Sequence, residues 1–261
     1  MTVFVHELRR GRLSLAIWSV AIAFMLAVCI FIYPEMSSQM GELSEMFADM
    51  GSFSQAFGMD ELNFGEFMGY FGIECGNTLG IGGALFAALL GISALSKEEQ
   101  GGTADLLLTH PISRARIVSE KLLSVVVRIA ILDLTVILAT VLSCLLINAE
   151  CSVGKLALLF LAHFLLQLEI AAVTFAISAF LRGNGIFIGI GLSLLLYFLN
   201  LLSNLLEELR FLRYLTPFSY TDSGYIFKES ALEVKYLIVG IILMILAVIL
   251  AYRRYTTKDI K

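Results

Sequence analysis

The sequence predicts an all-α membrane protein of six transmembrane helices, with both termini on the cytoplasmic side. Three observations carry that prediction. The 261-residue chain is 59% hydrophobic and 15% charged, with a mean hydropathy of +0.88, whereas a soluble domain is roughly 45–50% apolar and about 25% charged. Six apolar runs are long enough to cross the roughly 30 Å hydrocarbon core of a bilayer as helices. Basic residues gather on alternate connections between those runs, and Lys and Arg favour the cytoplasm. The net charge of −4 is spread along the whole chain, so nothing in it points to a nucleic acid partner.

Taken in order, residues 2–12 (TVFVHELRRGR) set Val3, Val5 and Leu8 beside His6, Glu7 and three arginines. That is the pattern of a short interfacial helix. It leads into the first span, 13–33, which is too long for a signal-peptide core and has no small-residue cleavage site after it. It should stay as an anchor. The outer loop 34–69 has seven acidic residues and no basic one. It also holds Met36, Met40, Met46, Met50, Met59 and Met68, six of the nine methionines. Spacing of four puts Met36 with Met40, and Met46 with Met50, on shared helix faces. Thioethers are ligands for Cu(I), but the interleaved Phe47, Phe53, Phe57, Phe64 and Phe67 favour an apolar cover over an outer vestibule.

The second span, 70–96, carries Gly72, Gly76, Gly80 and Ala84 on one face. A small-residue ridge lets another helix come close; its partner is a helix of the same subunit, a second subunit or the lumen of a pathway. A polar stretch, 97–121, separates it from the third span, 121–147. The fourth span, 154–181, and the fifth, 185–206, are joined by Arg182, Gly183 and Asn184 alone, so they are antiparallel neighbours. Gly185 and Gly189 repeat the small-residue pattern. A second outer excursion, 207–235, leads to the last span, 236–252. With the N-terminus inside, twelve of the 18 basic residues fall on inner segments: Arg9, Arg10, Arg12, Lys97, Arg114, Arg116, Lys121, Arg182, Arg253, Arg254, Lys258 and Lys261. Five fall on outer ones, and Arg128 lies within a span. No internal repeat or separate soluble domain is visible.

Ionisable residues inside a membrane are costly and seldom idle. The candidates are Glu74, Arg128, Asp133, His163 and Glu169. The favoured reading is a structural clamp of Arg128, Asp133 and Glu169 on the third and fourth spans; the alternative is a role toward substrate or protons. Cys29, Cys75, Cys144 and Cys151 show no metal-ligand spacing and read as free thiols, with a Cys144–Cys151 bridge as the alternative. No metal site is expected.

The segment KEEQGGTADLLLTHPISRARIVSEKLL, 97–123, is the part of the chain that least resembles a membrane span. Gly101 and Gly102 end the preceding helix. Thr103 suits an N-cap, with Asp105 in the first turn where the helix dipole favours an anion. Leu106, Leu107 and Leu108 are too few to cross a bilayer. Pro111 forces His110 out of helical conformation, and Ser113 can cap a new helix carrying Arg114, Ile117 and Lys121. The result is a short helix lying across the inner face, whose three leucines need a cover.

The run Glu98, Glu99, Gly102, Thr103, Leu106, Leu107, Leu108, Pro111, Ser113, Arg114, Ile117 and Lys121 resembles the cytoplasmic loop of type-2 ABC exporter permeases. Leu215-Thr216-Pro217-Phe218-Ser219-Tyr220 is more weakly similar to that family's outer loop. Glu120 stands where many relatives carry a small residue. The resemblance implies that 97–121 is a coupling segment for a separate ATPase subunit, with Asp105 among its docking residues, and that 2–12 is the connecting helix beside it. It further implies two permeases, identical or not, around a central pathway lined by the second and fifth spans. Two ATPases would bind the ATP and Mg, lipid would surround the assembly, and the expected location is the bacterial plasma membrane. An amphipathic or lipophilic cargo fits the apolar spans.

Rival classes fare less well. No G-x-x-x-x-G-K-[ST] loop occurs, since Gly154-Lys155 lacks both flanks. The three histidines lie on three different segments, which disfavours a membrane metalloenzyme. A secondary transporter would call for discontinuous helices and inverted repeats, and neither is visible. A membrane scaffold without transport and a copper-related maturation permease complete the alternatives.

Overall fold

The computed structural model describes residues 2–37, 66–97, 101–102 and 112–258. Helix α1 runs Thr2–Ser37, α2 Phe67–Ala94, α3 Arg114–Leu146, α4 Val153–Ser178 and α5 Ile186–Leu205. Two 3-10 helices, Glu207–Tyr214 and Pro217–Thr221, and the short α6, Ser223–Glu229, precede α7, Val234–Thr257. Helices α1 to α5 and α7 are six helices long and apolar enough to cross a membrane, and no strand occurs among the described residues. Glu98, Glu99, Thr103, Asp105, Leu106, Leu107, Leu108 and Pro111 lie outside the described residues, as do Met40, Met46, Met50 and Met59.

The interfacial helix expected at 2–12 is not a separate element. It is the first part of the 36-residue α1, about 54 Å long at 1.5 Å per residue. Gly11 is the residue that could have broken it, and Gly11 is held against the Arg128 guanidinium of α3. Helix α3 likewise begins at Arg114, where Ser113 caps it by accepting the Arg116 N–H at 3.3 Å. The last turns of the polar stretch are therefore already helical.

Two parallel pairs form the frame. In the first, Glu120 of α3 accepts the N–H groups of Val3 and Phe4 at 3.0 and 3.1 Å, and Arg128 donates to Gly11 O at 3.3 Å. Equal advances along both helices mean that α1 and α3 run side by side in the same direction. In the second, Gly80, Gly83 and Gly91 of α2 face His163, Gln167 and Thr174 of α4, again with matching steps. Helix α5 returns antiparallel along α2, where Gly189 sits on Ala88 and Ile92 and Tyr197 donates to Asn77 at 3.2 Å. Helix α7 lies along α4, with Gly240 against Glu169.

The core lies between α2 and α4, around Phe71, Phe86, Leu79 and Phe175. By contrast, the buried residues of α5 are Gly189, Ser193 and Ser203, and those of α7 are Tyr236, Gly240, Ala251 and Tyr255. Their large apolar side chains, such as Phe187, Phe198 and Leu246, point outward. The segment after α5 turns back into the bundle and buries Phe218, Tyr220, Ile226 and Phe227. Pro217 starts its second 3-10 helix, which Thr216 caps, and Asp222 caps α6 by accepting the Gly224 N–H at 2.9 Å.

Candidate functional site

Four chain segments converge at one end of the bundle, and one carboxylate holds three of them. Glu7 of α1 is 4% exposed. It pairs with Lys97 through one oxygen and with Lys121 through the other, at 3.2 Å. Lys121, 1% exposed, also donates to Ala94 O at 2.6 Å. Lys97 lies just before residues 98–111 and Lys121 is on the second turn of α3, so Glu7 grips both flanks of the polar segment. Glu120 adds a second tie: it fills the free N–H groups at the start of α1, where the helix dipole favours a negative charge, and pairs with Arg116 at 3.0 Å. The fourth segment arrives from the C-terminal end. Arg114 donates to Lys258 O, and Lys258 Nζ donates to Leu181 O at 2.7 Å. Gly102, with φ +64°, adopts a backbone conformation that glycine reaches without strain.

The predicted clamp among Arg128, Asp133 and Glu169 is not formed. Each finds a different partner. Arg128 reaches Gly11 on α1. Asp133 accepts from Gln167 Nε2 at 2.8 Å. Glu169 accepts from the Tyr220 hydroxyl at 2.9 Å and packs against Gly240. The reason is rotation: at 3.6 residues per turn, positions five apart point about 140° apart, so Arg128 faces α1 while Asp133 faces α4. Burial and then the Glu169 carboxyl raise the Tyr220 phenol well above its usual range, so its O–H remains a donor. His163 bonds Leu159 O through Nδ1 at 2.8 Å. Its Nε2, Asp133 Oδ2 and Gln167 Oε1 are sealed from solvent with no partner among the described residues. Glu74 accepts from the Cys29 thiol at 3.6 Å.

This architecture agrees with one known family over nearly the whole chain: residues 1–260 match the family model described as ABC-2 family transporter protein. The chain belongs to the ABC-2 transporter family. No curated protein gives a significant match. The chain is thus a multi-pass ABC transporter permease, and permeases of this family generally work with an ATPase partner.

In this permease the small-residue face divides among several neighbours. Gly72 packs on Phe227 and Ser223, Gly76 opens into free space, Gly80 faces His163, and Ala84 is fully buried. The closest approach of α2 to α4 is made elsewhere, at Gly83 and Gly91. A Cβ on Gly91 would strike Ala171 O and stand 2.9 Å from Phe175 N, and one on Gly83 would stand 2.6 Å from Gln167 Nε2. Gly185 and Gly189 serve α5 against Ile92 of α2 in the same subunit. Met36 and Met68, the described members of the methionine set, pack on separate apolar clusters. No group of three or more His, Cys, Asp or Glu side chains able to hold a metal occurs among the described residues. All four cysteines are free thiols.

Sequence reading identified Lys97, Lys121, Ser113 and Arg114 but missed Glu7 as the group that joins Lys97 to Lys121, and it missed Gln167, Tyr220, Gly11 and Gly240. A signal for Glu7 was present. It is an acidic residue at the 3, 7, 11 spacing of α1's inward face, next to three arginines.

Proposed function

We propose that this permease is the membrane subunit of an ATP-driven exporter, with residues 97–121 as its coupling segment on the cytoplasmic side. Two permeases, identical or not, would enclose the pathway for an amphipathic or lipophilic cargo, above two ATPase subunits that bind ATP and Mg. The observation that carries this reading is the grip of Glu7 on Lys97 and Lys121. A force applied to 98–111 is delivered through that carboxylate to α1, and through Lys121 to the end of α2 and the start of α3. A solvated loop has no need of such a buried junction. The outward apolar faces of α5 and α7 leave room for a second permease and for lipid.

The test is Leu107→Asp. If Leu106, Leu107 and Leu108 enter an ATPase groove, each buried leucine contributes roughly 1.5–3 kcal/mol. Replacing the central one should weaken docking at least tenfold, at about 1.4 kcal/mol per decade. The permease should still insert, and Asp105 or Arg114 charge swaps should do less, because rim charges add little affinity. The measurement is recovery of the ATPase with tagged permease at matched expression, together with transport. Equal recovery and normal transport for Leu107→Asp would overturn the coupling role.

A further inference from the structure

At the end of the bundle remote from Glu7, helices α2 and α5 and the segment after α5 enclose a half-open recess of about 70 Å³, small enough that only a head group fits inside it. Asn77 comes from α2, Tyr197, Asn200 and Asn204 from α5, and Arg213 and Ser219 from the following segment. Their hydrogen bonds have one direction. The Tyr197 hydroxyl donates to Asn77 Oδ1 at 3.2 Å, the Ser219 hydroxyl to Asn200 Oδ1 at 3.4 Å, and Arg213 Nη2 to Asn204 Oδ1 at 2.8 Å. Every asparagine on this wall is thereby engaged through its acceptor oxygen.

A carboxamide has one acceptor oxygen and two N–H donors. With Oδ1 taken, Asn77 and Asn200 offer their NH₂ groups to the recess. Arg213 Nε–H is closed off from solvent and has no partner among the described residues. Asp222 also borders the recess, but its Oδ1 is turned to the α6 N-terminus, where it caps Gly224. For a ligand the recess offers the Arg213 guanidinium, with Asp222 as a counter-charge on the same lining, and the N–H groups of Asn77 and Asn200. That set matches an oxygen-rich anion.

Apolar surface adjoins it. Leu201 forms part of the wall. Leu194 and Phe198, 36% and 58% exposed, stand beside Tyr197 and Leu201 on α5 at the helical spacing of 100° per residue. Gly76 opens directly into the recess, since a Cβ there would meet nothing within 4 Å.

We infer that this recess binds the anionic head of an amphiphile, a phosphoryl or carboxylate group, with its apolar tail along Leu194 and Phe198 of α5. The inference deepens the permease reading by naming a head-group chemistry, and it rests on that reading only for the step from binding to transport. Direct binding to the purified chain therefore tests it without any ATPase.

The experiment titrates purified permease in dodecyl maltoside micelles with dilauroyl phosphatidic acid, laurate, inorganic phosphate and dilauroyl phosphatidylcholine, following tryptophan fluorescence and thermal stability. Phosphatidic acid or laurate should bind saturably, at least tenfold more tightly than either inorganic phosphate or phosphatidylcholine. Arg213→Gln should weaken that binding at least tenfold, while Arg213→Lys should keep part of it. Gly76→Leu supplies a variant that fills the recess without striking the backbone; it should abolish binding and leave thermal stability near wild type. Inorganic phosphate binding as tightly as the anionic amphiphiles would overturn the amphiphile assignment in favour of a free anion. Unchanged amphiphile binding in both Arg213→Gln and Gly76→Leu would overturn the site itself. Failure here with intact ATPase recovery would remove the recess and leave the permease reading standing.

Discussion

Glu7 is the residue on which the end of the bundle beside residues 97–121 depends most. Breaking a buried pair by removing one partner costs about 3–5 kcal/mol, because the remaining charge is stranded. Glu7→Ala would leave the 1% exposed Lys121 with Ala94 O as the neutral acceptor the structure gives it. The variant should unfold at clearly lower temperature in detergent and recover less ATPase. Arg116→Ala removes a pair whose arginine side chain is 60% exposed, and exposed pairs contribute about 0–1 kcal/mol; it should be nearly silent in both assays. Thermal unfolding and ATPase recovery of the two variants, compared side by side, check this. Equal stability of Glu7→Ala and wild type would remove the junction from the account. At this scale the sequence showed which polar residues lie deep in the membrane but not what they touch. Depth follows from counting along one helix, whereas the Glu169–Tyr220 and Asp133–Gln167 bonds require the rotation and register of two helices together.

For the elements, the lesson lies in α2. A four-residue repeat advances 400°, which is 40° past a full turn, so from Gly72 to Ala84 the stripe swings by about 120°. It therefore cannot serve one straight neighbour. Its start meets α6 and its middle meets α4, and the tight seam continues through Gly83 and Gly91. Gly91→Leu should be severe, since its first side-chain atom meets not only the Thr174 hydroxyl but the α4 backbone at Ala171 O and Phe175 N, which cannot turn aside. Overpacking of this kind costs typically 1–3 kcal/mol or more. Gly83→Ala should be milder, displacing Gln167 and stripping Asp133 of its donor. Yields of folded protein by fluorescence-detected gel filtration should rank wild type above Gly83→Ala above Gly91→Leu; the reverse order would contradict the seam. The presence of the helices was legible because an apolar run of that length has few alternatives. Their junctions were less so: α1 extends unbroken through 2–12 because Glu120 caps its start, and that capping residue lies 117 positions away.

The whole molecule has two ends of different character, and their assignment to the two sides of a membrane rests on the positive-inside rule. Ser113 lies at the end gathered by Glu7 and Arg114, whereas Ser230 closes α6 near the opposite recess. In a variant with the four native cysteines replaced, Ser230→Cys and Ser52→Cys should react with an impermeant maleimide in intact cells. Ser113→Cys should react only after permeabilisation. Labelling of Ser113→Cys in intact cells would invert the orientation and with it the coupling side. The sequence argues this two-sidedness directly, because charge on loops is read one residue at a time, and the labelling is its test. The convergence of the C-terminal end and the start of α3 on the α4–α5 turn, through Arg114, Lys258 and Leu181, was not legible there, since it joins three distant stretches.

The alternation of partners, α1 with α3 and α2 with α4, has a consequence for biosynthesis. Helices leave the ribosome in order, yet no closely packed pair in this frame consists of consecutive helices. When α2 has been made, its glycine seam has nothing to close on; α1 at that moment has an uncapped start and a Glu7 without Lys121. Both wait in the lipid for chain still to be translated. Lys121 reaches Glu7 only once α3 is made, and Gln167 and Thr174 reach the glycine seam only once α4 is made, so the polar groups of the first two helices gain these partners from chain synthesised after them.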